Sequence, residues 1–180
     1  MKRLPVTVVS TALFAMLVAC GSTPSESDQP NSPDQPVVNS QQAPVAPAKP
    51  EPVADGPCPY LTSEFIGQAN GQRATKVRIS ADKPYPSCFF YRADSAVQLT
   101  VQVFTGDPKQ AKALVDEAAP VDTSNPANSP SGWTGGSQTT DKGAVYAVAK
   151  AGNAVVVTTN QQQTIKARRV VEKAIAALEL

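Results

Sequence analysis

The clearest chemical modification that this sequence predicts is the lipidation of a cysteine. Cys20 directly follows Leu17-Val18-Ala19 and precedes Gly21-Ser22, an order of apolar and small residues typical of the processing site of a bacterial lipoprotein. We expect Cys20 to become the lipid-bearing first residue of the mature protein. Two or more acyl chains would anchor it stably, because a single chain binds membranes only marginally. An ordinary secretory cleavage after Ala19 and an uncleaved anchor are the two alternatives.

Residues 1–19 have the composition of a signal peptide. Met1-Lys2-Arg3 is basic, and the 16 residues from Leu4 to Ala19 are largely apolar. This stretch is shorter than the ~20 residues that a helix needs to cross a bilayer, and it ends in small residues. We therefore predict a lipoprotein signal peptide over 1–19 and an extracytoplasmic mature protein that is anchored to the outer face of the cell membrane.

Cys58 and Cys88 are the other two of the three cysteines. An odd number in an exported chain ordinarily suggests an unpaired thiol, but lipidation of Cys20 leaves an even number. Because oxidising compartments permit disulfides, we predict a bond between Cys58 and Cys88. Closing a loop of ~30 residues contributes roughly 3–4 kcal/mol to stability in the chain-entropy model.

Catalytic and metal chemistry finds little support in the residue types. The chain contains no histidine, so it lacks the commonest general base, the usual member of a catalytic triad and the commonest metal ligand. A hydrolase would then need a Ser-Lys arrangement or paired carboxylates. Asp116 and Glu117 are adjacent on a predicted helix, so their side chains diverge. We predict no catalytic residue, no metal site and no cofactor.

Trp133 and the glycines beside it are the candidate surface for a ligand or a partner. Residues 121–141 are mostly Pro, Asn, Ser, Thr and Gly, which predicts a loop, and loops of this length are often functional. Trp133 either fills the edge of the core or offers a stacking surface to a sugar, a lipid or a protein. The candidate surface consists of Gly132, Trp133, Gly135 and Gly136.

Residues 20–57 are predicted to be a disordered tether rich in Pro, Ser and Gln. They contain no aromatic residue and few aliphatic ones, so ordering them would bury too little apolar surface to offset the lost entropy. The prolines favour extended polyproline conformations, which stiffen such a segment. A single globular domain then spans 58–180.

Capping residues and hydrophobic periodicity predict three helices and five strands in this domain. The helices run from Thr62 or Ser63 to Asn70-Gly71, from Asp107-Pro108 to Pro120, and from Thr164 to about Leu178. The strands cover 74–80, 87–92, 97–103, 143–150 and 154–159. Their order predicts an α+β domain with a mostly antiparallel sheet of about five strands, helices packed on one face, and one disulfide.

Four short segments of the domain resemble those of a known family. They are Cys58-Pro59-Tyr60-Leu61 and the stretches 84–92, 144–148 and 155–161. Over about residues 57–180 the chain resembles a family of actinobacterial lipoproteins catalogued only as a domain of unknown function, number twenty-twenty. More loosely, a Pro-Cys helix start followed by a cysteine-bearing strand is similar to another uncharacterised lipoprotein group of the same bacteria. The resemblance implies location and architecture, and it implies no functional residues.

The net charge of the chain and the order of its predicted segments limit the classes of function that it can have. The formal net charge is +1, and it becomes −1 without Lys2 and Arg3, so neither nucleic acid nor acidic lipid is an evident partner. The anchor, the tether and the scarcity of catalytic residues favour a non-enzymatic ligand-binding or accessory protein of the cell envelope. Its partner would be a cell-wall component, a lipid or an envelope protein. The alternatives are an envelope enzyme or enzyme regulator that uses carboxylate or Ser/Lys groups, and a purely structural partner of another envelope protein.

Overall fold

A computed structural model describes residues 44–180 of the chain. The predicted signal peptide, Cys20 and the first part of the predicted tether lie outside the described residues. Within residues 44–180, no helix is long and apolar enough to cross a membrane.

The described part is built on one eight-stranded sheet. Every pairing between neighbouring strands is antiparallel, and the strand order is β1-β2-β3-β4-β8-β7-β6-β5. The strands are β1 (Ala54–Asp55), β2 (Lys76–Ile79), β3 (Cys88–Tyr91), β4 (Val97–Thr105), β5 (Asn125–Ser129), β6 (Trp133–Thr140), β7 (Gly143–Lys150) and β8 (Asn153–Thr159). The helices are α1 (Ser63–Asn70), α2 (Pro108–Ala118) and α3 (Thr164–Leu178). The α+β class is confirmed, and the predicted strand number of about five is wrong.

Local capping explains why α1 begins and ends, and why α2 begins, where the sequence predicts. The Thr62 hydroxyl accepts a hydrogen bond from the Phe65 N–H at 3.2 Å, and Gly71 ends α1 with a φ of 74°. The Asp107 carboxylate accepts from the Lys109 and Gln110 N–H groups at 2.8 and 3.2 Å and so caps α2.

The helices cover both faces of the sheet, so the prediction that they pack on one face is wrong. Val155 and Val157 of β8 belong to the core that contains α1 and α3, whereas Val156 belongs to the core under α2. Both faces are covered because apolar residues occupy consecutive positions in β7 and β8 instead of alternating with polar ones. A strand of this composition is buried on both sides.

The predicted loop over 121–141 is wrong, because it contains β5 and β6. These strands form a hairpin around Pro130–Gly132, where Ser131 and Gly132 adopt positive φ values of 64° and 83°. The sequence of β6, Trp-Thr-Gly-Gly-Ser-Gln-Thr-Thr, lacks the apolar alternation that marks a strand. Pairing with β7 along its length supplies the hydrogen bonds that its local sequence does not predict.

The ordered domain begins before the predicted boundary at residues 57 and 58. β1 pairs with β2, and this pairing is extended by hydrogen bonds from the Val53 N–H to the Ile79 carbonyl at 2.9 Å and from the Gly56 N–H to the Val77 carbonyl at 3.2 Å. Upstream, Ala46 packs against the core under α2. Contacts with a preformed sheet therefore order a segment that is too polar to fold by itself.

The predicted disulfide is confirmed. Cys58 and Cys88 are bonded with their Cα atoms 5.6 Å apart, and both residues are buried. The bond joins the segment before α1 to the first residue of β3, across 30 positions of the chain.

Candidate functional site

Trp133 does not offer a stacking surface. Its side chain is 0 % exposed and belongs to the core that also contains α1 and α3. Trp133 is the first residue of β6 and pairs with Ser129, which directs the indole inward beside Ala127. Of the two predicted roles, filling the core is confirmed and ligand stacking is wrong.

The three glycines near Trp133 have structural roles of different kinds. A Cβ on Gly135 would collide with the Ala147 carbonyl and lie 2.9 Å from a methyl of Val115, so the missing side chain lets α2 approach the sheet. A Cβ on Gly136 would collide with the Ser124 hydroxyl in the same way. Gly132 has open space around it, and its φ of 83° explains its use in the turn.

The structure places a cleft between α2 and the strands β5, β6 and β7, with a volume of about 470 Å³. Its lining is mainly apolar and comes from four elements and the segment after α2. Gly135 is the one member of the predicted surface that lines it. The apolar residues are Pro108, Val115, Ala119, Val121, Pro126, Ala149 and, directly after β7, Ala151, and the charged residues are Lys112, Asp116 and Lys150. We call this space the α2 cleft.

The charged residues of the α2 cleft do not balance. Lys112 and Asp116 lie one helical turn apart and form an ion pair. Lys150 stands on β7, and residues 44–180 provide it with no ion-pair partner. One positive charge therefore remains uncompensated beside an apolar surface. Val121, at the mouth of the cleft, is 74 % exposed and offers further apolar contact.

The serine hydroxyl in the α2 cleft is not arranged as a nucleophile. The Ser124 hydroxyl donates to the Ala119 carbonyl at 3.2 Å, and Lys112 is paired with Asp116. A serine–lysine mechanism needs a hydrogen bond between the hydroxyl and the amine, and the described residues of the cleft form none.

Ser80 and Lys83 have the Ser-x-x-Lys spacing of one class of serine nucleophiles, and the structure gives Ser80 a different role. The buried Ser80 hydroxyl donates to Asp82 at 2.7 Å and accepts from the Ser87 N–H at 2.8 Å. These bonds close the loop between β2 and β3. Lys83 lies on this loop with its side chain exposed, and no helix holds it next to the serine.

Tyr60 is a further titratable residue that contacts this loop. Its hydroxyl donates to the Pro86 carbonyl at 2.9 Å. Burial raises the pKa of the Tyr60 phenol well above its usual value, and the charge of Asp82 raises this pKa further. The phenol therefore stays protonated at neutral pH and holds the loop rather than acting as a base.

A buried polar network lies on the α1 and α3 side of the sheet. The Asn70 side chain donates to the Gln98 amide oxygen at 2.9 Å and accepts from the Thr159 hydroxyl, and all three residues are almost completely buried. The Lys166 ammonium donates to the Asn70 carbonyl at 3.1 Å. The network ties the end of α1 to β4, β8 and α3. In the sequence Gln98 shares the polar side of the alternating strand β4 with Thr100 and Gln102, so the pattern gives no signal that its side chain is buried in this network.

Metal ligation has no support in the described part of the chain. Between residues 44 and 180, no group of three His, Cys, Asp or Glu side chains comes together. The two cysteines there are joined to each other.

Comparison with known proteins places this arrangement in a family. The family model described as Domain of unknown function (DUF2020) matches residues 43–180. The chain belongs to the DUF2020 family. The match starts next to the packed segment around Ala46, so the DUF2020 domain includes the residues before β1. None of the curated proteins compared with the chain matches it.

Proposed function

We propose that this DUF2020 protein is a non-enzymatic binding protein of the cell envelope, lipid-anchored through Cys20, and that the α2 cleft is its binding site. The ligand we propose is a small amphipathic acid, with an apolar body and one anionic group. The α2 cleft and its uncompensated Lys150 carry this proposal.

The lining of the cleft supports this ligand class. Small-molecule sites are concave and mainly apolar, with a few polar groups that orient the ligand. Val115, Ala119 and Pro126 would contact an apolar chain, and Lys150 would meet an anionic head at the rim. A volume of about 470 Å³ lies within the range of 300–1,000 Å³ that is usual for ligand pockets.

Titration of the full chain, reconstituted in phospholipid nanodiscs, tests the proposal. The probes are decanoate and its uncharged counterpart decanol, and empty nanodiscs measure partition into the lipid. We expect saturable binding of decanoate above that background. Lys150→Gln should weaken decanoate binding about fivefold, the effect of losing about 1 kcal/mol of exposed ion pairing, and should leave decanol binding unchanged.

A second substitution tests the apolar part of the cleft. Val121→Asp should weaken the binding of both probes, because it places a charge at the apolar mouth. The matched control is Val53→Asp, because Val53 is 60 % exposed and precedes β1 at the opposite edge of the sheet. Absence of saturable binding, or equal effects of Lys150→Gln on both probes, would contradict the proposed site.

Anchoring has its own test. We expect mass spectrometry of the membrane fraction to find Cys20 acylated, and a Cys20→Ala protein to leave the membrane or remain unprocessed. An unmodified Cys20 in correctly processed protein would contradict lipidation and leave the cleft to be judged by the titration.

A further inference from the structure

α3 exposes a basic surface on the side of the sheet opposite the α2 cleft. The helix carries Lys166, Arg168, Arg169 and Lys173 against a single acid, Glu172, which forms an ion pair with Arg168 at 2.8 Å. The side chains of Arg168, Arg169 and Lys173 are exposed, whereas the apolar face of α3 is buried against the sheet. Ile165, one turn before Arg168 and Arg169, is 57 % exposed. We call Ile165, Arg168, Arg169 and Lys173 the α3 stripe.

The charge of the described domain is unevenly distributed between the two sides of the sheet. On the opposite side, α2 carries two cations and two acids, and the flanking Asp107 and Asp122 add two more acids, whereas Glu179 adds one acid after α3. The net charge of the chain is small because the acids near α2 and the cations of α3 largely cancel in the sum. A surface with a strong negative potential would therefore attract the domain with α3 foremost.

We propose that the α3 stripe docks on the anionic lipid surface of the membrane, an inference that rests on the lipid anchor at Cys20 in the proposed function. Positions 165, 168, 169 and 173 recur at the spacing of one helix face, so they can meet a flat surface together. An exposed apolar residue beside cations is the pattern of helices that lie on membrane surfaces. Each cation near an anionic leaflet strengthens binding about fivefold, and this attraction fades beyond a Debye length of about 10 Å.

The length of the chain before the domain permits this contact. Twenty-three residues separate Cys20 from Pro44, the first described residue. A chain of this length spans up to about 80 Å when extended, whereas a domain of this size has a radius of gyration of about 14 Å. Either side of the sheet can thus reach the lipid.

The reactivity of native lysines tests the proposal without a change in sequence. The full chain is reconstituted in vesicles of phosphatidylcholine, with or without phosphatidylglycerol. Its lysines are acetylated with sulfo-N-hydroxysuccinimide acetate and quantified by peptide mass spectrometry. We expect Lys173 to react several-fold more slowly in the anionic vesicles and to regain its reactivity at high salt. Lys109 on α2 should react equally in both.

A double variant connects the protection to the α3 stripe. Arg168→Gln with Arg169→Gln should weaken docking about fivefold for each lost cation and restore the reactivity of Lys173 in anionic vesicles. The matched control, Lys83→Gln with Lys109→Gln, removes two exposed cations elsewhere and should keep the protection. Circular dichroism and the thermal midpoint verify that both double variants are folded.

Three results would overturn the proposal. The first is equal reactivity of Lys173 in the two vesicle types. The second is continued protection of Lys173 in the Arg168→Gln/Arg169→Gln protein. The third is protection of Lys173 in native membranes that is not reproduced in anionic vesicles free of other membrane proteins. The third would assign the α3 stripe to an acidic protein partner. None of these results bears on decanoate binding, so they leave the α2 cleft untouched.

Discussion

Polar side chains in this domain are used mainly to hold elements together. Asn70 shows the principle, because one amide satisfies groups on β4 and β8 while its backbone carbonyl accepts from Lys166 of α3. Ser80 does the same for the loop between β2 and β3. Buried polar groups of this kind are costly when a partner is removed, since desolvation is no longer compensated.

The substitution Asn70→Ala tests whether the buried polar network stabilises the domain. Removal of the amide leaves the Gln98 oxygen and the Thr159 hydroxyl without their partner in a buried place, so we expect the free energy of unfolding to fall by roughly 2–4 kcal/mol. Urea unfolding followed by the fluorescence of Trp133, the single tryptophan, measures it.

Gln68→Ala is the matched control for Asn70→Ala. Gln68 also makes a side-chain hydrogen bond in α1, to Glu64, but it is exposed, so its loss should change stability by less than about 0.5 kcal/mol. Equal losses in the two variants would mean that the network contributes no more than a surface contact.

At the scale of elements, two glycines of β6 let α2 and the segment after it lie close to the sheet. Gly135 and Gly136 face the helix and the segment that follows it, and side chains there would collide with neighbouring atoms. The glycines that weaken the strand pattern of β6 in the sequence are therefore the residues that allow α2 to pack. Gly135 also lines the α2 cleft.

Gly135→Ala should destabilise the domain by about 1–3 kcal/mol, because the added methyl overpacks the contact with Val115 and Ala147. Gly67→Ala is the counterpart in α1, where a Cβ would lie 3.6 Å from its nearest neighbour, the Gln72 carbonyl oxygen. Alanine favours a helix over glycine by up to about 1 kcal/mol, so this variant should be neutral or more stable. Thermal unfolding of the two variants measures the contrast, and a stable Gly135→Ala protein would refute the close packing of α2.

At the scale of the whole molecule, the domain consists of two cores on the two faces of one sheet. The larger core lies under α1 and α3 and includes the disulfide, and the smaller core lies under α2. Both ends of the strand order are poor templates for a further strand. β1 has two residues, and β5 contains Pro126, which lacks an N–H.

Removal of the disulfide should lower the stability of the whole domain. We expect Cys58→Ser with Cys88→Ser to reduce the free energy of unfolding by roughly 3–4 kcal/mol, because the unfolded chain regains the freedom of a 30-residue loop. Urea unfolding measures it, with Cys20→Ser as the control that leaves the bond intact. An unchanged midpoint in the double variant would show that the bond does not constrain the unfolded chain.

The sequence by itself determined the elements that depend on neighbours along the chain. Thr62, Gly71 and Asp107 mark helix ends through bonds that close within one turn, and the spacing of apolar residues marks the buried face of α3. The number of cysteines predicted the bond between Cys58 and Cys88. The sequence also indicated the family, because short motifs can be recognised in it without knowledge of the fold.

Tertiary structure alone decided the remainder, because it depends on residues that are distant in sequence. β1, β5 and β6 are strands only through pairing with β2 and β7, and Trp133 is buried only because that pairing turns it inward. The apolar residues on both faces of β7 and β8 are visible in the sequence, but only the fold shows that α2 covers one face and α1 and α3 cover the other. The α2 cleft and the separation of charge between α2 and α3 follow from this placement, since neither exists until the sheet keeps the two helices apart.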